Sequence, residues 1–215
     1  MAKGLSTLFI LILAWLPAAA GESLQLDAPP EAWKPVMEEL SAGEPIRSRF
    51  EEARSNPFHR LPKRFEGVIR WDPEIGLSLY YFKPSELIIN ILPRGVFAGR
   101  PDQEIEPIAG SEQESVMLLF SKLFNWDVSW LARNFSTEGE MGEDGNWKIS
   151  LRPDDGDLAG KLDRIDLEGQ GGLLNRILLD LRNGRTVEIS LSGQERPAPV
   201  DETELKEFYP ALNAQ

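Results

Sequence analysis

Residues 65–84, FEGVIRWDPEIGLSLYYFKP, decide the fold. Phe65, Gly67, Ile69 and Trp71 alternate with Glu66, Val68 and Arg70, the period-two pattern of a strand with one apolar face. Asp72-Pro73 and Gly76 supply turn chemistry. Leu77, Leu79 and Tyr81 then resume the alternation before Pro84 ends it. Two such runs separated by a short turn read as an antiparallel hairpin with its apolar side chains on a common face.

The same signal extends both ways. Upstream, Ile46, Ser48 and Phe50 alternate with Arg47, Arg49 and Glu51; downstream, Glu86 to Leu92 forms an apolar strand carrying Ile89 and Ile91. Later, Trp147, Ile149 and Leu151 alternate with Lys148, Ser150 and Arg152, and Ile165 and Leu167 follow. Leu173 to Leu181 leads to Asn183-Gly184, a pair suited to the positive φ of a type I′ hairpin turn, and then to Val187, Ile189 and Leu191. The count comes to about nine to eleven strands, mostly pairing in chain order. Helical spacing appears in three places. Trp33, Val36, Met37 and Leu40 form one stripe within Pro29 to Leu40. Leu119, Phe120, Leu123 and Trp126 form another, behind a capping box of Ser111 and Glu114. Asp127 can cap a third, short helix carrying Trp130 and Leu131. The tail after Pro197 is polar, with room for one further helical turn from Glu202 to Tyr209.

The expected fold is therefore α+β, mainly β: a single curved antiparallel sheet forming a half-open barrel, lidded by two or three short helices. The inner face carries Phe50, Phe65, Ile69, Trp71, Leu79 and Tyr81 from the first half of the chain. Ile89, Ile91, Trp147, Ile149, Leu151, Val187 and Ile189 extend it. Few short helices cannot tile so wide a face, so either the sheet curls or a hollow remains. A hollow lined this way is apolar and suits an alkyl chain; a fully packed core is the alternative.

Composition narrows the chemistry. The 215 residues include 35 acidic and 23 basic side chains, for a net charge of −12, with one His and no Cys. Such a charge repels phosphate backbones, so nucleic acid is not an expected partner. Without Cys there is no disulfide or thiolate metal site, and one His cannot build a multi-histidine centre, so no metal and no cofactor are expected. His59 lies beside the Asn56-Pro57 turn with no nucleophile elbow anywhere, and reads as a loop residue. Asp154-Asp155-Gly156-Asp157 lacks the spaced ligands of a calcium loop and reads as an acidic turn. Gly169 to Gly172 opens no phosphate-binding helix. No enzymatic constellation emerges. At the start, Lys3, the apolar run Leu8 to Leu16, Pro17 and Ala18 to Ala20 read as a cleavable secretory signal at residues 1–20, with residues 21–215 as one periplasmic domain.

The order of these features resembles one known family. A signal peptide and amphipathic helix precede I-x-S-x-F (Ile46 to Phe50), G-x-I-x-W (Gly67 to Trp71) and a strand ending in aromatics and Lys83-Pro84. A helical insertion, F-x-T (Phe135 to Thr137), W-x-I-x-L-x-P (Trp147 to Pro153) and I-x-L-x-G (Ile165 to Gly169) follow. This is similar to the LolA family of periplasmic lipoprotein carriers, in a divergent LolA-like branch, across roughly residues 30–192. The resemblance implies a monomeric carrier that binds the acyl chains of a lipoprotein or similar acylated lipid. It would receive them from an inner-membrane donor complex and pass them to an outer-membrane acceptor. It also implies a lipid-binding lining of Phe50, Phe65, Ile69, Trp71, Leu79, Tyr81, Ile89, Ile91, Trp147, Ile149 and Leu151. The lid would consist of Trp33, Val36, Met37, Leu119, Phe120, Leu123, Trp126 and Trp130. A non-catalytic adaptor of a cell-envelope complex is the other reading. Members of that family hold a lid-bonding Arg in the strand matching Ile75 to Tyr80; none lies there, and the nearest, Arg70, falls on the outward phase.

Overall fold

The hairpin at residues 65–84 forms with the expected register. Strand β3 (Lys63–Asp72) pairs antiparallel with β4 (Gly76–Lys83), placing Ile69 opposite Leu79 and Trp71 opposite Leu77. The computed structural model describes residues 22–108, 112–142 and 144–213. The leader at residues 1–20 and the Ser111 capping box lie outside the described residues.

The remaining strands are β1 (Glu22–Ser23), β2 (Ile46–Ser55), β5 (Leu87–Leu92), β6 (Gly95–Gly99) and β7 (Glu106–Pro107) in the first half. β8 (Phe135–Met141), β9 (Asn146–Pro153), β10 (Leu162–Gln170), β11 (Leu173–Leu181) and β12 (Thr186–Glu195) complete, among the described residues, one twelve-stranded antiparallel sheet. Its order is β1-β8-β9-β10-β11-β12-β2-β3-β4-β5-β6-β7, so the sheet stays open at β1 and β7. Two meanders, β2 to β7 and β8 to β12, are joined where β12 pairs with β2, with Leu191 opposite Phe50. The two-residue strands β1 and β7 carry too few residues to show an alternation, and take the sheet beyond the expected count.

Among the described residues five α-helices accompany it: α1 (Lys34–Leu40), α2 (Glu112–Phe124), α3 (Val128–Asn134), α4 (Gly156–Ala159) and α5 (Glu202–Phe208). The first three pack on the expected inner face. The Asp154 to Asp157 stretch, expected as a turn, runs directly into α4 between the end of β9 and the start of β10. Helix α5 covers the opposite face, which the sequence left to solvent.

The sheet curls, as one helix demonstrates. Trp33, just before α1, lies over Gly139 of β8, where an added Cβ would stand 2.7 Å from the indole. Leu40, at the other end of α1, lines a cavity with Ile46 of β2 and Trp71 of β3. Five strand steps separate β8 from β2, about 24 Å across a flat sheet. Seven helical residues rise only about 10 Å, so α1 reaches both strands because the sheet wraps around it.

Candidate functional site

Every strand residue assigned to the inner face by alternation is there. Phe50, Ile69, Trp71, Leu79, Tyr81, Ile89, Ile91, Trp147, Ile149 and Leu151 are buried in one apolar cluster, with Phe65 half-buried against it. The helices contribute Trp33, Val36, Met37, Leu119, Phe120, Leu123 and Trp126 to the same cluster, and Trp130 packs on its edge. Two aromatic rings lie against the sheet because the facing residue is Gly: Phe50 over Gly67 and Trp147 over Gly169. The G-x-I-x-W and I-x-L-x-G motifs thus have a steric cause.

The expected hollow is largely filled. Leu119, Phe120 and Leu123 are 2%, 4% and 3% exposed, driven into the concave face from α2. Beside them the cavity between Leu40, Ile46, Trp71, Phe124 and Trp126 measures about 40 Å³, close to the share of a single water in the liquid. A larger space opens next to it. A groove of about 570 Å³ runs between α2 and the turns after β3 and β5, walled by Trp71, Ile91, Leu118, Leu119 and Trp130. Trp71 lies between the two spaces and lines both.

Trp126 ends α2 in the left-handed region, at φ 46°. Gly normally takes this position, and a side chain there costs on the order of 1–3 kcal/mol. Its Nε1–H is buried with no hydrogen-bond partner among the described residues. A strained backbone and an unsatisfied donor therefore meet at the wall of the 40 Å³ cavity.

Helix α3 is capped and tied to α2 through Asp127. Asp127 Oδ1 accepts from the Trp130 backbone N–H at 3.0 Å, and Lys122 Nζ donates to Oδ2 at 2.8 Å. The Lys122 hydrogen bond holds the Asp127 carboxyl below the usual carboxylate range, against an opposing effect of burial and with help from the Trp130 N–H. The folded value lies below the unfolded one. Its stabilisation is therefore complete above the ordinary value of about 4 and is lost as pH falls through the folded value. Asp127→Ala should cost about 1 kcal/mol at neutral pH by denaturant titration, and the difference should shrink in acid. An equal deficit at both pH values would mean that the charge contributes nothing.

Two features of the site were not anticipated. Continuing the β2 alternation past Phe50 places Glu52 and Arg54 inward, and Glu52 is 3% exposed. Tyr81 Oη donates to Glu52 Oε2 at 2.7 Å, Arg54 Nη2 donates to the same oxygen at 3.2 Å, and Arg54 Nε bonds Oε1. Arg54 also stacks 4.3 Å from the Phe65 ring centroid. Burial, then the Glu52 charge, pushes the Tyr81 phenol well above its usual value, so it stays a neutral donor. The apolar floor thus ends in a paired polar cluster.

The second is Arg70. It points outward as its phase requires, yet is fully buried beneath α5. Arg70 Nη2 donates to Glu204 Oε2 and Ala198 O, both at 2.9 Å. In place of a lid latch on the inner face, the chain carries an Arg that fastens its C-terminal helix to the outer one. Asn90 Nδ2, which donates to Phe208 O at 2.7 Å, and Tyr209 Oη, which donates to Arg70 O at 2.8 Å, complete that seam.

No family model matches the chain, and no curated protein matches its sequence. Solved structures of similar architecture include a LolA superfamily protein from Nitrosomonas europaea, 10% identical, covering 80% of this chain and 94% of that one at a TM-score of 0.44. A DUF1329 family protein from Desulfovibrio piger is 10% identical over 88% of this chain and 100% of that one, at 0.47. The Pseudomonas aeruginosa MucA/MucB complex matches at 10% identity and 0.47, over 81% of this chain but 59% of that one.

Proposed function

We propose that this protein binds the acyl chain of a lipoprotein, or of a similarly acylated lipid, between its sheet and helices α1 to α3. In this reading it carries the chain through the periplasm from an inner-membrane donor complex to an outer-membrane acceptor. The observation that carries the reading is the 570 Å³ groove, which leads from solvent to Trp71, Ile91 and Leu119 of the apolar cluster. Its size falls in the range of small-molecule sites. Among the described residues no helix is long and apolar enough to cross a membrane.

The filled interior sets the energetics. Burying a C16 chain returns about 10 kcal/mol. Admitting it fully means lifting Leu119, Phe120 and Leu123 off the sheet, at roughly 2 kcal/mol each. A net gain of a few kcal/mol remains, which permits release as well as capture.

The test is native mass spectrometry of protein isolated from its own periplasm, paired with thermal unfolding in the presence of palmitate. Lipid adducts are expected, with Tm rising about 2–4 °C per kcal/mol of binding. Trp130→Ser, on the half-buried rim, should weaken both while leaving the fold intact. The filled interior favours one other reading, a non-catalytic adaptor of an envelope complex. Protein that always emerges empty, with a Tm indifferent to acyl chains, and bound to another protein would replace the carrier reading with that one.

A further inference from the structure

The loop joining β2 to β3 carries two large apolar side chains with nothing over them. Phe58 is 91% exposed and Leu61 80%, whereas the next most exposed large apolar residue among the described ones, Leu173, stands at 43%. The loop is shaped rather than slack: Asn56 Oδ1 accepts from the Phe58 N–H at 2.9 Å, and Asn56 O from the His59 N–H at 3.0 Å. Pro57 and Pro62 bracket the exposed pair.

The charge around it runs against the rest of the protein. The chain as a whole is at −12, yet between Ala53 and Phe65 it has no acidic residue and includes Arg54, Arg60, Lys63 and Arg64. The β11–β12 turn lies alongside, with Gly184 against Pro57, and adds Arg185. Arg60, Lys63, Arg64 and Arg185 are all exposed, and none has a carboxylate partner among the described residues. Of the acids towards this end, Glu52 is held by Arg54 and Tyr81, Glu66 by Lys83 and Asp163 by Arg182, while exposed Glu51 and Glu86 meet no cation among the described residues and leave the four basic side chains in excess. The free charge at the tip is positive.

We propose that this tip docks the protein on an anionic phospholipid surface. Phe58 and Leu61 enter the headgroup boundary, and Arg60, Lys63, Arg64 and Arg185 meet the lipid phosphates. Charge complementarity selects the occupant: a basic collar around two apolar points suits a bilayer interface, where aromatic and aliphatic tips sink among headgroups. A protein partner would require a broader apolar patch than two side chains supply. The acidic remainder of the surface limits contact to the tip and keeps it reversible. The tip stands about 30 Å, the length of β2, from the cavity at Ile46, so docking leaves the cavity end clear. Docking is independent of what the interior holds, so its failure and that of the carrier reading are separate results.

The full secreted chain is mixed with vesicles of equal parts phosphatidylcholine and phosphatidylglycerol, or of phosphatidylcholine alone, and floated on a density gradient. Flotation is expected with the anionic vesicles only, falling as salt is raised. Phe58→Ser with Leu61→Ser should weaken it at least tenfold with Tm unchanged, since both sites are exposed. Arg60→Gln and Lys63→Gln should each weaken it roughly fivefold. Absence of flotation on anionic vesicles at low salt overturns the proposal, as does equal flotation of the Phe58/Leu61 double variant. Retention on a detergent-stripped envelope protein, without vesicle flotation, overturns it in favour of a protein partner.

Discussion

Glu204→Ala is expected to lower the free energy of unfolding by about 3 kcal/mol, read as a shift in the denaturant midpoint at constant slope. Glu204 supplies the carboxylate that meets the fully buried Arg70 guanidinium at 2.9 Å. Without it the guanidinium keeps two backbone acceptors, Ala198 O at 2.9 Å and Trp71 O at 3.3 Å, but loses its paired carboxylate; its Nε already lacks a partner among the described residues. Glu204 is 19% exposed and also stands 3.8 Å from Arg47, so the reverse change should be milder. Arg70→Met leaves a carboxylate that can turn towards Arg47 and water. Combining Arg70→Met with Glu204→Leu should recover most of the loss, because a packed apolar pair needs no desolvated charge. A Glu204→Ala shift below about 1 kcal/mol would show that water replaces the carboxylate and that the seam rests on Phe208 and Tyr209 alone.

That seam marks where sequence patterning stops being informative. Alternation placed Phe50, Ile69, Leu79, Ile149 and Leu151 on the inner face correctly, because a half-buried strand repeats every two residues. The same alternation gave Arg70, Ser78 and Asn90 their outward phase, and they form one cross-strand row. It could not say that a helix more than a hundred residues later would bury that row. A signal did exist in the tail. Asp201 with Glu204 three residues on is a helix start, and Asp201 Oδ1 does accept from the Thr203 and Glu204 N–H groups. Leu205, Phe208 and Tyr209 then supply an apolar stripe. The tail's polar average hid it. Glu52 was legible by one further step of the β2 period. How closely α2 fills the concave face was not legible, since spacing fixes which side chains point inward and not the depth to which the helix settles.

Gly169→Ala should be the most damaging single methyl in the molecule, costing about 4 kcal/mol or more. A Cβ at that position would stand 2.2 Å from both Leu173 O and Trp147 Cζ2. Neither neighbour can yield cheaply. Leu173 O belongs to the backbone at the tight β10–β11 turn, where the ladder already shifts register after Glu168. Trp147 is tied down by its Nε1–H, which donates to Gly171 O at 2.7 Å. Gly160→Ala is the matched control: its Cβ would meet only Asp157 O at 3.5 Å, its φ of −72° is ordinary, and the change should fall between neutral and slightly stabilising. Pairing Gly169→Ala with Trp147→Ala separates the two clashes. Removing the indole should return about 1–3 kcal/mol of coupling, leaving the clash with Leu173 O in place. Full additivity would mean that the ring swings aside unaided. The Trp147 seat would then be soft, and that stretch of the inner wall could reshape around a guest without any helix moving.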